Sequence, residues 1–223
     1  MLIDLTHTIT PDMPVYPGSP APVFSPSGTL TRTGYRETLL SMVSHIGTHM
    51  DAPFHLLQDG QSLDTLPLSQ FCGRAVVVDV SAFAPGETIT ADFLRARNGE
   101  LRSADFVLFY TGWETRWGSQ DYFEDAFPVP DAEAAKYLVS CGLKGVGTDA
   151  FSVDRLENVS YPAHRVLLSG GLVILESLRL KKTVERKRFT LWALPLKFIS
   201  ADGAPVRAVA DFREEPEGGG ETP

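Results

Sequence analysis

Arg74-Ala75-Val76-Val77-Val78-Asp79-Val80 is a run of β-branched residues with little polar interruption, and Asp105-Phe106-Val107-Leu108-Phe109-Tyr110 repeats the pattern with aromatic residues. A strand with one wet face alternates apolar and polar residues, whereas a near-continuous apolar run suits a strand covered on both faces. Between the two runs, Thr90 precedes Ala91-Asp92-Phe93-Leu94-Arg95-Ala96-Arg97, which reads as an N-capped helix stopping at Asn98-Gly99. Further out, Asp131 to Ser140 reads as a second helix stopping at Gly142. A third opens at Pro162, a favoured first helical position, and closes at Gly170-Gly171. Leu172-Val173-Ile174-Leu175 and Phe189-Thr190-Leu191-Trp192-Ala193-Leu194 are strands, as is the short Leu2 to Leu5. Tyr35 to His45, rich in Thr, Leu, Val and Ser, suits a strand better than a helix. Prolines 11, 14, 17, 20, 22 and 26 mark a loop that wraps a surface. Strands and helices alternating between β-rich ends predict an α/β chain, a single mixed-sheet domain whose sheet is partly parallel.

A chain of 223 residues favours one domain, and 43% hydrophobic with 22% charged residues is enough to build a core. The domain is placed at residues 1–212. Residues 213–223, which hold Glu214, Glu215, Glu217 and Glu221 among Gly and Pro, are expected to be a disordered acidic tail. No apolar run approaches the roughly 20 residues that span a bilayer. The first residues lack the basic region of a signal peptide, so a cytoplasmic protein with no membrane partner is expected. Net charge is 20 − 28 = −8 with His neutral, which argues against nucleic acid as a partner. The basic run from Arg179 to Arg188 reads as a solvated hairpin. Cys72 and Cys141 have no C-x-x-C neighbour and read as buried thiols.

Three of the five histidines fall within eleven residues, His45-Ile46-Gly47-Thr48-His49-Met50-Asp51-Ala52-Pro53-Phe54-His55. Gly47 and Pro53 disfavour a helix here, and Ala52 before Pro53 is pushed toward extended geometry. In an extended chain residues two apart point the same way, so His49 and Asp51 share a side, and a bend at Gly47 can bring His45 alongside. Two imidazoles and a carboxylate then converge in a set that suits zinc, manganese or iron. His164, at a helix start, and Glu176, closing an apolar strand, are weaker candidates by themselves. Glu176 has to be solvated, paired or metal-bound at that place. Trp113, Trp117, Tyr122 and Phe123 suit either an aromatic-accepting pocket or core packing. His7 has no partner by sequence and reads as structural.

The string H-x-G-T-H-x-D-x-P-x-H from His45 to His55 resembles the hallmark of the cyclase-like metal-dependent hydrolases, which include bacterial kynurenine formamidases and isatin hydrolases. The likeness extends to Asp4-Leu5-Thr6, Pro14-Val15-Tyr16-Pro17-Gly18, Gly145-Val146-Gly147-Thr148-Asp149, Ala163-His164, Glu176, Ala193-Leu194-Pro195-Leu196-Lys197 and Pro205-Val206-Arg207-Ala208. The resemblance implies a swivelling β/β/α fold and a site of two zinc or manganese ions. His45, His49 and Asp51 would hold one ion, and Asp51 would bridge to a second held by His164 and Glu176. His55 matches the family's proton donor and acceptor. Tyr16, where the formamidases generally carry Trp, falls in the loop lining the substrate pocket. The implied activity is hydrolysis of an amide, lactam or lactone of a small aromatic substrate, by a homodimer or homotetramer.

Such residues make a hydrolase because a divalent ion lowers the pKa of bound water from 15.7 to about 7, while a second can polarise the carbonyl under attack. An imidazole with unperturbed pKa near 6.5 can carry the proton to the leaving group. Two rival classes remain: a non-haem iron oxygenase built on His49, Asp51 and His164, and a non-catalytic metal-binding protein. A serine hydrolase is disfavoured because Ser169-Gly170-Gly171 is not a G-x-S-x-G elbow. Gly145-x-Gly147 is only a fragment of a dinucleotide fingerprint.

Overall fold

A computed structural model describes residues 1–124 and 126–213. Its first half contains β1 (Leu2–Asp4), β2 (Val23–Gly28), α1 (Leu30–Thr33), β3 (Glu37–Ser41), β4 (His49–Asp51), β5 (Cys72–Asp79), β6 (Thr88–Ile89), α2 (Ala91–Arg95), α3 (Asn98–Arg102) and β7 (Phe106–Tyr110). The second contains β8 (Val129–Pro130), α4 (Ala132–Ser140), β9 (Gly145–Thr148), α5 (Pro162–Ser169), β10 (Val173–Glu176), β11 (Arg188–Pro195) and β12 (Gly203–Asp211). Seven strands close into a barrel in the order β12-β11-β5-β7-β9-β10-β4, with β4 returning to β12. Neighbours along β5, β7, β9 and β10 are parallel. The pairings made by β4, β11 and β12 are antiparallel. Closure is possible because one edge of β12 serves two partners, Gly203–Pro205 pairing with β4 and Val209–Asp211 with β1.

The apolar runs have the predicted two-sided burial. Val77, Phe106, Leu108, Val173 and Leu175 join one core, with Met50, Leu191 and Ala208. The alternate residues Val76, Val78, Val107, Phe109 and Ile174 join a second, against Leu94, Leu138 and Leu167 of the helices. Burying each large apolar side chain contributes about 1.5–3 kcal/mol, so the parallel strands hold barrel and helices together. Thr90 caps α2 by accepting from Phe93 N–H, and Asp131 caps α4 by accepting from Ala134 N–H.

Several expectations need correction. Asn98-Gly99 does not end a helix but opens the extra turn of α3, because Gly99 takes a helical conformation on an open surface. The Pro-rich loop contains a strand, β2, which pairs with β3 in a separate two-stranded ribbon. The predicted strand Tyr35 to His45 is regular only over β3. The basic run is no hairpin: Lys181–Arg186 forms a 3-10 segment leading into β11, with Thr183 buried beneath exposed Lys and Arg side chains. Gly145 and Gly147 lie within β9 rather than after a strand. A Cβ on either would meet Phe106 or Leu108 at under 3 Å, so these glycines make room for barrel side chains. Both cysteines are free, Cys141 buried and Cys72 only half-buried. Residues 214–223 of the expected tail lie outside the described residues. No helix among the described residues is long and apolar enough to cross a membrane.

Candidate metal centre

The short strand β4 carries the site because it lies between β10 and β12 at the closing seam. Register sets Glu176 opposite His49 on one side and Gly203 opposite Asp51 on the other. Gly47, with φ +59 in the left-handed region open to glycine, makes the bend that returns His45 to this seam. His45 Nδ1 then sits 2.7 Å from Asp51 Oδ1, and His49 Nε2 sits 3.3 Å from the same oxygen. His164 comes from the first turn of α5. Its Nε2 lies 3.2 Å from Glu176 Oε1 and 3.6 Å from Asp51 Oδ2. The five residues form two sets that share Asp51: His45, His49 and Asp51, and Asp51, His164 and Glu176.

Neighbouring groups fix which nitrogen each ring offers. His49 Nδ1 donates to the Gly47 carbonyl at 2.8 Å; since a carbonyl only accepts, Nε2 is the nitrogen left to face Asp51. His164 Nδ1 donates to Asp154 Oδ2 at 2.8 Å, and Asp154 also accepts from the backbone N–H groups of Ala163 and His164. Asp154 thereby ties helix start and imidazole together. His45 Nε2 lies 3.1 Å from Asp202 Oδ2. A Cβ at Gly203 would be 2.4 Å from His45 Cε1, so only glycine leaves this ring its place. Nothing in the sequence around Asp154 or Asp202 marks either as a partner of the site. They are distant from the histidine run and carry no local motif, and only the fold brings them in.

Electrostatics tie the set together. Burial penalises charge on His45, yet Asp51 and Asp202 raise its pKa to about 9. Burial likewise opposes charge on His164, but Asp154, Asp51 and Glu176 hold it well above the usual range. For Asp51 burial works upward, and His45, His164 and His49 prevail in holding it well below an ordinary carboxylate. Asp51 is almost wholly buried, and its Oδ2 has no hydrogen-bond partner. A buried carboxylate oxygen without a donor, facing imidazole and carboxylate groups, is what an oxygen-and-nitrogen site for a divalent cation presents. The residues fit such an ion.

His55 lies in the 3-10 turn Pro53–His55, entered through extended Ala52. Its ring is 4.0 Å from that of His45 and 6.3 Å from that of His164. Burial lowers its pKa to about 4, prevailing over the upward pull of Asp51, with His45 and His164 also acting downward. His55 is therefore a neutral base at pH 7. It lines the same cavity of about 330 Å³ as the cluster, along with Tyr16. Of the aromatic stretch, Trp117, Tyr122 and Phe123 line this cavity, whereas Trp113 lies behind it, packed with Phe127 in a core that shares Tyr122 and Phe151 with the cavity wall. His7 is buried against Trp117, rings 3.9 Å apart and nearly parallel, and backs the pocket wall.

A profile of the family described as "Putative cyclase" matches residues 3–155. The chain is 38% identical over 218 residues to a kynurenine formamidase from Salinibacter ruber, covering 97% of this chain and 99% of that one. In structure it resembles isatin hydrolase A from Labrenzia aggregata bound to benzyl benzoate, with TM-score 0.85, 29% identity, and coverage of 94% and 93%. It also resembles a structure described as a potential metal-dependent hydrolase with cyclase activity, with TM-score 0.75, 33% identity, and coverage of 96% and 99%. Fold, site and relatives together define an enzyme of the metal-dependent hydrolase class, with a mixed α/β fold. The chain belongs to the Cyclase family.

Proposed function

We propose that the protein hydrolyses the C–N or C–O acyl bond of a small aromatic amide, lactam or lactone, using two divalent ions, zinc or manganese. The observation that carries this reading is the pair of donor sets sharing buried Asp51 beneath an aromatic cavity. His45, His49 and Asp51 would hold one ion, and Asp51, His164 and Glu176 the other, with protons released from the imidazoles on binding. Ions so placed supply an acidified water and a Lewis acid for the acyl oxygen. The protein does the rest. Asp154, Asp202 and the Gly47 carbonyl hold the three imidazoles in fixed orientation. The neutral His55 takes a proton from the attacking water and returns it to the departing nitrogen or oxygen. Tyr16, Trp117 and Phe123 offer ring faces to the substrate. Benzyl benzoate, carried by the Labrenzia neighbour, is an uncharged aromatic acyl compound and supports an aromatic occupant.

A panel of N-formylkynurenine, isatin, small lactones and aryl amides tests this on apoprotein refilled with zinc or manganese. At least one member is expected to be cleaved without oxygen or oxoglutarate, at a metal content of two ions per chain by elemental analysis. Turnover that required oxygen would instead favour the iron oxygenase.

The reading includes self-association as a homodimer or homotetramer. Supporting it is the β2–β3 ribbon, on which Val23, Leu39 and Leu40 are each more than half exposed. A lone two-stranded ribbon is marginally stable in water, and a second copy would cover it. Light scattering at micromolar concentration should give a multiple of the 24.4 kDa chain mass; a monomer would reject this part of the reading.

A further inference from the structure

Beyond the cluster, the cavity wall is formed by Tyr16, Val43, Trp117, Phe123, Phe151 and Tyr161. Among the described residues lining it there is no Lys or Arg. Two arginines adjacent in sequence to cavity residues have their guanidinium groups engaged by other partners. Arg116 pairs with Glu124 at 2.6 Å and lies over the Trp113 ring, and Arg165 donates to the backbone carbonyls of Ser160 at 3.0 Å and of the lining residue Leu56 at 3.5 Å. The lining carboxylates, Asp51 and Glu176, sit on the floor, where both already face histidines. The other side-chain polar groups of the lining are the hydroxyls of Ser19, Ser152 and Ser177 and of Tyr16, Tyr122 and Tyr161, with Tyr122 donating to Ser177; these are uncharged groups that suit an oxo or amide substituent.

A carboxylate on the substrate would have to give up water against this wall with no cation to pair with it, a costly exchange. Among the described lining residues an ammonium would find anionic partners in the floor alone, already committed to the cluster. We infer that the substrate is an uncharged aryl amide or aryl lactam, its part beyond the scissile acyl bond carrying neither carboxylate nor ammonium. The inference rests on the acyl-hydrolase reading and sharpens it, because a wall without cations selects against an α-amino-acid arm while it accepts the ring that carries one.

Matched pairs test this on the metal-loaded protein. 2-Formamidoacetophenone is the aryl formamide of N-formylkynurenine without its zwitterionic arm, and isatin has a charged counterpart in isatin-5-sulfonate. In each pair that is cleaved, the uncharged member is expected to have the higher kcat/KM by at least about fivefold, the direction set by the cost of an unpaired charge. A smaller difference, or a preference for the charged member, overturns the inference and leaves the hydrolase reading standing. If none of the four is cleaved, the hydrolase reading fails for these acyl classes. Calorimetric affinities of the same four compounds then decide the charge question on the same fivefold criterion.

Discussion

Replacing His55 with Ala is expected to leave the metal content at the wild-type level while kcat falls by about 10²–10⁴, the usual contribution of general acid–base catalysis. At about 1.36 kcal/mol per tenfold, that is roughly 3–5 kcal/mol of barrier. The expectation of intact metal content follows from geometry. His55 belongs to neither of the two donor sets that share Asp51, and its ring lies beside His45 on the cavity side. It does complete a third, more exposed group with His45 and Asp202, so metal has to be measured along with rate. The loss should be largest for simple amides, whose nitrogen leaves only when protonated, and mildest for activated esters. A variant that lost metal with activity, and recovered both on adding metal, would make His55 a ligand. Full metal and full rate on an amide would make it a structural histidine.

The second large effect is expected at Asp51. Asp51→Asn keeps the side chain's size but removes the charge that three imidazoles face within 3.6 Å. Both donor sets lose their shared member, so elemental analysis should show both ions lost or strongly depleted, with turnover abolished. The drop in metal affinity should exceed the roughly 10–100-fold typical of losing an outer partner. Glu176→Gln provides the contrast. It touches only the set with His164, so one ion should remain, and unchanged stoichiometry and rate would reduce Glu176 to the end of β10. Circular dichroism of each variant separates a lost ion from a lost fold.

How much of the site was legible depended on sequence distance. His49 and Asp51 share a face because an extended chain alternates with period two, and the Gly and Pro beside them exclude a helix; that argument needs no other part of the molecule. His164 and Glu176 drew only weak support as isolated residues and entered through the family resemblance. Their convergence comes from β10 pairing antiparallel with β4, which puts Glu176 opposite His49, and from Asp154 anchoring the first turn of α5. Asp202 was not legible at all, since its approach to His45 depends on β12 meeting β4 with Gly203 leaving space for the ring.

Sequence alone determined the properties set by near neighbours: the doubly covered strands β5 and β7, the capped helices α2 and α4, and the bent, extended histidine run. Tertiary structure decided the closure of the barrel, the division of the aromatic stretch between Trp113 in a core and Trp117 in the cavity wall, and the outer partners of the three imidazoles. The physical reason is that capping, turn and alternation preferences act within a few residues, whereas backbone hydrogen bonds between strands are alike for any pair. Which strands pair is chosen by burial summed over the whole chain, so the long-range contacts of the site exist only once the barrel has closed.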